Sequence, residues 1–225
     1  AYYDSGAWRA TWSGEGGGVL LNQCPHNLDL WQWICGMPVK VSSQMQFGKW
    51  HDIEVEDDVT TYVEYANGAT GVFVTTTGDA PGTNRFEISL DGGKLVAEND
   101  KLYMWKNDVG EREFSATNTI PFGCPKSEKT EVETDGKNEQ HVGVLNAFAG
   151  RILHGTPLIA EGCEGINGLT LSNAMHLSAW LGKTIELPFD EDLFYDELMK
   201  RVKTSRRKEN VASVYADTSN TYNSK

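Results

Sequence analysis

An asparagine and a histidine stand four residues apart in the segment from Gly16 to Asp29. If this segment is helical, Asn22 and His26 lie on one face, about one turn apart. An amide and an imidazole in that arrangement can bind the same small polar substrate, and an imidazole can also exchange a proton near neutral pH. The spacing therefore predicts a catalytic role for His26 and a substrate-binding role for Asn22.

A second candidate group, formed by Trp8, Arg9 and Trp12, immediately precedes a run of glycines. Aromatic faces are common at sugar and polyol sites, and a guanidinium donates hydrogen bonds to polar groups. We expect Arg9 and Trp12 to contact a substrate. Packing of the tryptophans in the core is an equally good interpretation.

The remaining histidines show no spacing typical of metal ligands, so the sequence predicts no metal site. His141 starts a predicted helix after a polar loop, and we include it among the candidate substrate-binding residues. His176 is expected to cap or pack a helix. No Ser/His/Asp or Cys/His nucleophile set can be assembled from local spacing.

The glycine run from Gly14 to Gly18 is neither a dinucleotide fingerprint nor a P-loop, because the required partner residues do not follow it. Two interpretations remain open. The run is either a turn that allows close packing before a helix, or a helix start whose free N–H groups face a polar ligand.

Composition narrows the class of protein. The 225 residues carry a formal net charge of −12, which argues against binding to nucleic acid or to an anionic membrane surface. We expect the four cysteines to be free, buried thiols in a reducing cytoplasm. The chain begins Ala-Tyr-Tyr-Asp without an initiator methionine, so we expect a piece of a longer protein, with a processed N-terminus as the alternative.

The elements that must position these residues follow from periodicity. Val19 to Cys35 is predicted as a helix that Pro25 kinks near Leu21, or that starts anew with Pro25 as its first residue. Closely spaced strand candidates fill Val39 to Asp135, including one or two between Glu111 and Glu133. They indicate a largely antiparallel sheet.

Helical periodicity returns in the last third of the chain, over Asn138 to His154, Gly165 to Gly182 and Asp190 to Lys203. Val211 to Tyr215 can form a final strand. We predict an α+β fold with an open, mostly antiparallel β-sheet and helices packed on one face. It forms a single domain over 1–225, with an active-site segment and helix at 1–36, a sheet region at 37–135, helices at 136–205 and a tail at 206–225.

Taken together, these motifs resemble the start of the C-terminal domain of the glucose-fructose oxidoreductase, inositol dehydrogenase and rhizopine catabolism (Gfo/Idh/MocA) family. The likeness spans roughly Tyr3 to Leu198. It rests on the order and spacing of Trp8-Arg9, Gly16-Gly17-Gly18-Val19-Leu20-Leu21-Asn22-x-x-x-His26-x-x-Asp29, Gly36-x-Pro38, Glu54-Val-Glu-Asp57, Tyr65-Ala-Asn-Gly68, Asn173-Ala174-x-x-x-Ser178 and Glu186-Leu-Pro188.

The resemblance implies an NAD(P)-dependent oxidoreductase that acts on a sugar, polyol or related carbinol. His26 matches the family histidine near the reacting hydroxyl. Asn22 matches a position that is often aspartate, and an asparagine there can only hydrogen-bond the substrate. A glycosidase of the same architecture and a non-catalytic carbohydrate-binding or assembly module remain alternatives.

The resemblance also implies a nucleotide-binding domain, with NAD or NADP and a lysine, that this chain does not contain. We therefore expect no cofactor on this chain alone and no hydride transfer by it. Packing of the open sheet face against a partner subunit, usual in the family, implies a homo-oligomer.

Overall fold

A computed structural model describes residues 2–137, 139–206, 208 and 211. The helices are a short 3-10 turn at Tyr2–Asp4, α1 (Pro25–Cys35), α2 (Glu111–Thr117), α3 (Gln140–His154), a 3-10 turn at Gly162–Glu164, α4 (Gly165–Leu181) and α5 (Glu191–Val202). The strands are β1 (Lys40–Phe47), β2 (Glu56–Glu64), β3 (Thr70–Thr76), β4 (Arg85–Leu90), β5 (Gly93–Glu98), β6 (Lys101–Asn107), β7 (Ser127–Val132) and β8 (Ile185–Glu186).

The chain divides into two compact units, which we describe separately. The first contains Ala1–Gly78 and Ile159–Lys225, and the second contains Asp79–Leu158. Among the described residues, no helix has the length and hydropathy that crossing a membrane requires.

The first unit is built on a four-stranded antiparallel sheet in the order β3-β2-β1-β8. Alternate residues of β1 and β2 are buried, including Val41, Val59 and Val63. The helices cover this face: the ring of Trp31 on α1 stacks on Phe73 at 5.5 Å, and α4 packs along β1. The opposite face of this sheet is not covered by these helices.

The second unit is built on the antiparallel sheet β4-β5-β6-β7. Its apolar and charged residues alternate, so that Phe86 and Ile88 lie on one face and Arg85 and Glu87 on the other. On the charged face, Arg85 forms an ion pair with Glu98 across the strands at 2.8 Å. The helix α3 in this unit has no buried residue.

The predicted α+β fold class, with open antiparallel sheets and helices, is confirmed. The strands divide over two four-stranded sheets. The helix at the candidate site begins with Pro25 as its first residue, so the second of our two interpretations is correct and the continuous, kinked helix is wrong. A proline costs nothing at that position, because the first N–H groups of a helix have no partner within it.

Two local expectations are corrected. The segment Glu111–Thr117, predicted as strand, is the helix α2. It begins with Glu-Arg-Glu, three good helix formers, and the two acids lie in the first turn, where the helix dipole favours negative charge. All four cysteines are free, but only Cys24 is buried, while Cys124 and Cys163 are exposed. The predicted strand at Val211 to Tyr215 lies outside the described residues except for Val211.

Candidate functional site

His26 occupies the second position of α1, and its side chain is exposed. It lines a cleft of about 320 Å³ between the start of α1 and the first half of α4. Asp29 lines the same cleft from the next turn of α1, and Leu20 and Ser172 contribute to its walls. The cleft therefore presents an imidazole and a carboxylate to a small ligand on largely apolar walls.

The glycine run is a close-packing turn that delivers the chain to this cleft. A Cβ atom on Gly18 would stand 2.1 Å from the backbone oxygen of Glu56, and one on Gly17 would stand 3.3 Å from Cε1 of His176. The turn is tied to β2 by the Val19 N–H, which donates to the Glu56 carbonyl at 3.0 Å. The structure thus favours the first of the two interpretations left open above.

The side chain of Glu56 is fully buried beneath this turn. Its carboxylate accepts the Gly18 N–H at 2.8 Å on both oxygens and the Leu20 N–H at 3.0 Å. Nε2 of His176, 1% exposed, lies 3.0 Å from Oε2 of Glu56. Burial opposes ionisation, yet the imidazole and the two amides hold the pKa of Glu56 below its usual range.

Local spacing did not identify Glu56 as functional, and it assigned His176 to capping or packing. Their juxtaposition depends on packing of α4 against the sheet, which joins segments far apart in the sequence. No sequence pattern gave a signal for Glu56, because strict alternation from the inward-facing Val59 places Glu56 on the opposite face of β2. The register shift opposite Gln46 and Phe47 interrupts that alternation, and Glu56 is buried.

Asn22 does not lie on α1, so the helical relation between Asn22 and His26 that we assumed is wrong. It sits in the turn before the helix, where its N–H donates to the Gly18 carbonyl at 3.0 Å. Its side-chain oxygen accepts the Tyr2 hydroxyl at 2.6 Å, and its amide donates to Glu15.

The Arg9 guanidinium joins the same network. It donates to the Tyr2 hydroxyl at 2.9 Å and lies over the rings of Tyr2 and Trp8, at 4.6 and 4.5 Å from their centroids. The structure thus brings Arg9 and Asn22 together through Tyr2, a residue that spacing did not single out.

Trp12 is only 8% exposed. Its ring packs edge-on against His176 and Trp180, with centroids 6.1 and 5.6 Å away. Its backbone N–H donates to the Glu54 carboxylate at 2.7 Å. These contacts favour the core-packing interpretation, and the predicted contact with a substrate stays a prediction.

His141 lies on α3 in the second unit, and its side chain is exposed. Its role in substrate binding also stays a prediction. Within the described part of the chain, no group of three or more His, Cys, Asp or Glu side chains is arranged to hold a metal ion.

Comparison with known proteins gives a family match to the segment that carries the candidate site. Residues 1–96, which include the glycine turn and His26, match the GFO/IDH/MocA C-terminal domain. The predicted resemblance is confirmed. A comparison with curated proteins gives no match.

Solved structures similar to this chain share its fold. One is the WlbA dehydrogenase from Bordetella pertussis in complex with NADH and UDP-GlcNAcA (24% identity, TM-score 0.56, 84% of this chain and 50% of that chain). Another is aldose-aldose oxidoreductase from Caulobacter crescentus complexed with glycerol (21%, 0.61, 80% and 50%). A third is levoglucosan dehydrogenase with NADH and levoglucosan (19%, 0.60, 80% and 53%). The chain spans about half the length of these proteins.

Proposed function

We propose that this chain is the substrate-binding and oligomerisation domain of an NAD(P)-dependent oxidoreductase that acts on a sugar, a polyol or a related carbinol. The observation that carries the proposal is the position of His26. It lies within the segment that matches the GFO/IDH/MocA C-terminal domain, and it lines an open cleft. The bound glycerol and levoglucosan in two of the similar structures support a polyhydroxylated substrate.

In this proposal, His26 handles the proton of the reacting hydroxyl. Oxidation of a carbinol removes a proton from oxygen, and an exposed imidazole at hydrogen-bond distance can accept it. Reduction of the carbonyl reverses the transfer. Asp29, which lines the same cleft, adds an acceptor for a substrate hydroxyl.

Arg9 and Asn22 contribute polar groups beside the cleft segment, and their mutual contacts through Tyr2 fix their orientation. A guanidinium donates to substrate hydroxyls, and the Asn22 amide has a second N–H donor besides the one that binds Glu15. Trp12 remains a proposed substrate contact of the same unit.

The glycine turn does not fit a dinucleotide phosphate. Its Gly18 and Leu20 N–H groups, which would have to face the phosphate, are already bound by the buried Glu56 carboxylate. A phosphate at this turn would meet a negative charge rather than free N–H donors. NAD or NADP would therefore not be held by this turn, and in this proposal the chain supplies the substrate groups and the proton acceptor.

Binding to the chain itself tests the proposal. The ring resonances of His26, observed in a sample labelled at histidine, should shift during titration with a panel of polyols and sugars, while those of the exposed His154 should not. A panel that moves neither histidine, or moves both equally, would count against a substrate site in this cleft.

A further inference from the structure

Two walls of the His26 cleft converge on one buried pair of side chains. Leu20 on one wall is held by its N–H, which donates to the Glu56 carboxylate at 3.0 Å. Ser172 on the other wall is held by its carbonyl, 2.9 Å from Nδ1 of His176. A carbonyl only accepts, so Nδ1 carries a proton and donates it.

The pair also joins the two walls to each other. Nε2 of His176 lies 3.0 Å from Oε2 of Glu56, with both side chains at most 1% exposed. The imidazole thus lies between a carboxylate on β2 and a backbone carbonyl on α4, in contact with both.

The surroundings leave the pair little room to move. Trp12 and Trp180 pack against the His176 ring at 6.1 and 5.2 Å between centroids. On the turn side, Gly17 approaches so closely that even a methyl group would stand 3.3 Å from Cε1 of His176. The orientation of the imidazole is therefore fixed from both sides.

We propose that Glu56 and His176 are a positioning pair that sets the separation of the Leu20 and Ser172 walls, and through it the placement of His26 against its substrate. This inference rests on the proposed function of the cleft. The two residues touch no substrate; they act through the backbone groups that they hold.

Asp57 provides a matched control on the same strand. Its carboxylate is likewise fully buried, and it accepts three backbone N–H groups, from Lys49 at 3.0 Å, Trp50 at 2.8 Å and His51 at 3.1 Å. It therefore resembles Glu56 in burial and chemistry, but it holds the loop between β1 and β2 rather than a wall of the cleft.

The experiment compares Glu56→Gln, His176→Gln and Asp57→Asn by amide hydrogen exchange in this chain. In Glu56→Gln, exchange at Gly18 and Leu20 should accelerate beyond any change shared with the β1 amides, and the His26 ring resonances should shift. His176→Gln should also shift His26. Asp57→Asn should accelerate exchange at Lys49, Trp50 and His51, and leave Gly18, Leu20 and His26 unchanged.

A second test measures kcat of the same variants in the longest natural polypeptide that contains the chain. Both pair variants should lower kcat by about 100-fold, because a displacement of about 1 Å can cost that much, while Asp57→Asn stays within about two-fold.

Should Glu56→Gln fail to fold, His176→Gln decides alone. Unchanged His26 resonances in the folded pair variants would overturn the proposal, as would the same kcat loss in Asp57→Asn. The exchange and resonance data do not need turnover, so they remain decisive even if the proposed activity is wrong.

Discussion

His26 and Asn22 differ in what their side chains are free to do. The imidazole of His26 faces an open cleft, whereas both polar atoms of Asn22 already have partners in Tyr2 and Glu15. The Glu15 carboxylate also accepts the Ala10 N–H at 2.6 Å, at a residue with a φ of 53°. Asn22 thus stabilises the entry segment as a donor to Glu15, a role that an aspartate cannot take.

Replacing Asn22 by aspartate should therefore destabilise the chain at pH 7. Two carboxylates would face each other where a donor and an acceptor now meet, which we expect to lower the free energy of unfolding by about 1 to 2 kcal/mol. Urea denaturation of Asn22→Asp measures the loss.

The double variant Glu15→Gln, Asn22→Asp is the control, because it restores a donor–acceptor pair with the roles exchanged. It should recover most of the stability. A double variant that is less stable than Asn22→Asp would show that the two side chains do not interact.

At the scale of single residues, the sequence pattern singled out His26 as a candidate, and the structure places it at a cleft, but the pattern could not single out Glu56. Asn22 and His26 are close in the sequence, so a local pattern could draw attention to them. The helical relation that we assumed between them was nevertheless wrong. The partners of Glu56 are backbone N–H groups and a helix from a distant part of the chain, and no local pattern encodes that contact.

Among the elements, the glycine turn has a strict steric requirement at Gly18. Gly18→Ala should destabilise the chain by about 3 kcal/mol, because the new Cβ would stand 2.1 Å from a backbone oxygen that cannot rotate away. Gly162→Ala is the matched control in the same unit, since a Cβ there meets nothing within 4 Å. It should change stability by less than about 0.5 kcal/mol. Chemical denaturation measures both, and equal effects would contradict the close packing.

The attachment of this turn to β2 should depend on pH. The folded-state pKa of Glu56 is lowered from its ordinary value of 4.5, so its carboxylate stabilises the fold above that value. The contribution should decline as pH falls below 4.5 and disappear once pH passes the folded-state pKa.

Comparing wild type with Glu56→Gln isolates this effect, because other titrating groups occur in both proteins. The difference in their free energy of unfolding should be largest near pH 7 and shrink toward pH 3. A difference that stays constant over this range would show that Glu56 does not carry the charge we assign to it.

The start of α1 shows what a sequence pattern can and cannot predict about the bounds of a helix. Pro25 allowed both a kink and a new helix, and the structure has the new helix: Cys24, at φ −115° and ψ 18°, is outside helical geometry immediately before Pro25. The strand at Glu111–Thr117 was wrong for a different reason. We predicted a strand there because the neighbouring segments have strand patterns, and we gave its own helix-forming residues too little weight.

For the whole molecule, the class of fold was predictable and the division of its strands was not. Hairpin signals such as Asn67-Gly68 identify antiparallel neighbours, and β2 and β3 pair as that signal indicates. Whether β4 joins the sheet of β3 or starts a second sheet depends on tertiary packing. Sequence periodicity carries no information about that packing.

The exposed face of the first sheet supports the proposed homo-oligomer. Tyr62, Val72 and Val74 lie on the face opposite Phe73 and the helices, at 43%, 66% and 65% exposure. Lysine at both valines should abolish self-association through this face, because it places charge where apolar surface would be buried. Light scattering should give a multiple of the 24.9 kDa chain mass for wild type and a single chain for the variant. A monomeric wild type at high concentration would contradict the proposal.

The most direct test of the proposed function is turnover by the longest natural polypeptide that contains this chain, assayed with NAD and NADP against sugars and polyols. With an active substrate identified, His26→Ala should lower kcat by at least about 100-fold, the lower end of the range for a single proton-transfer group, and leave the melting temperature unchanged. His154→Ala, which removes an exposed histidine from the end of α3, should retain wild-type rates. Near-normal turnover of His26→Ala would contradict the account.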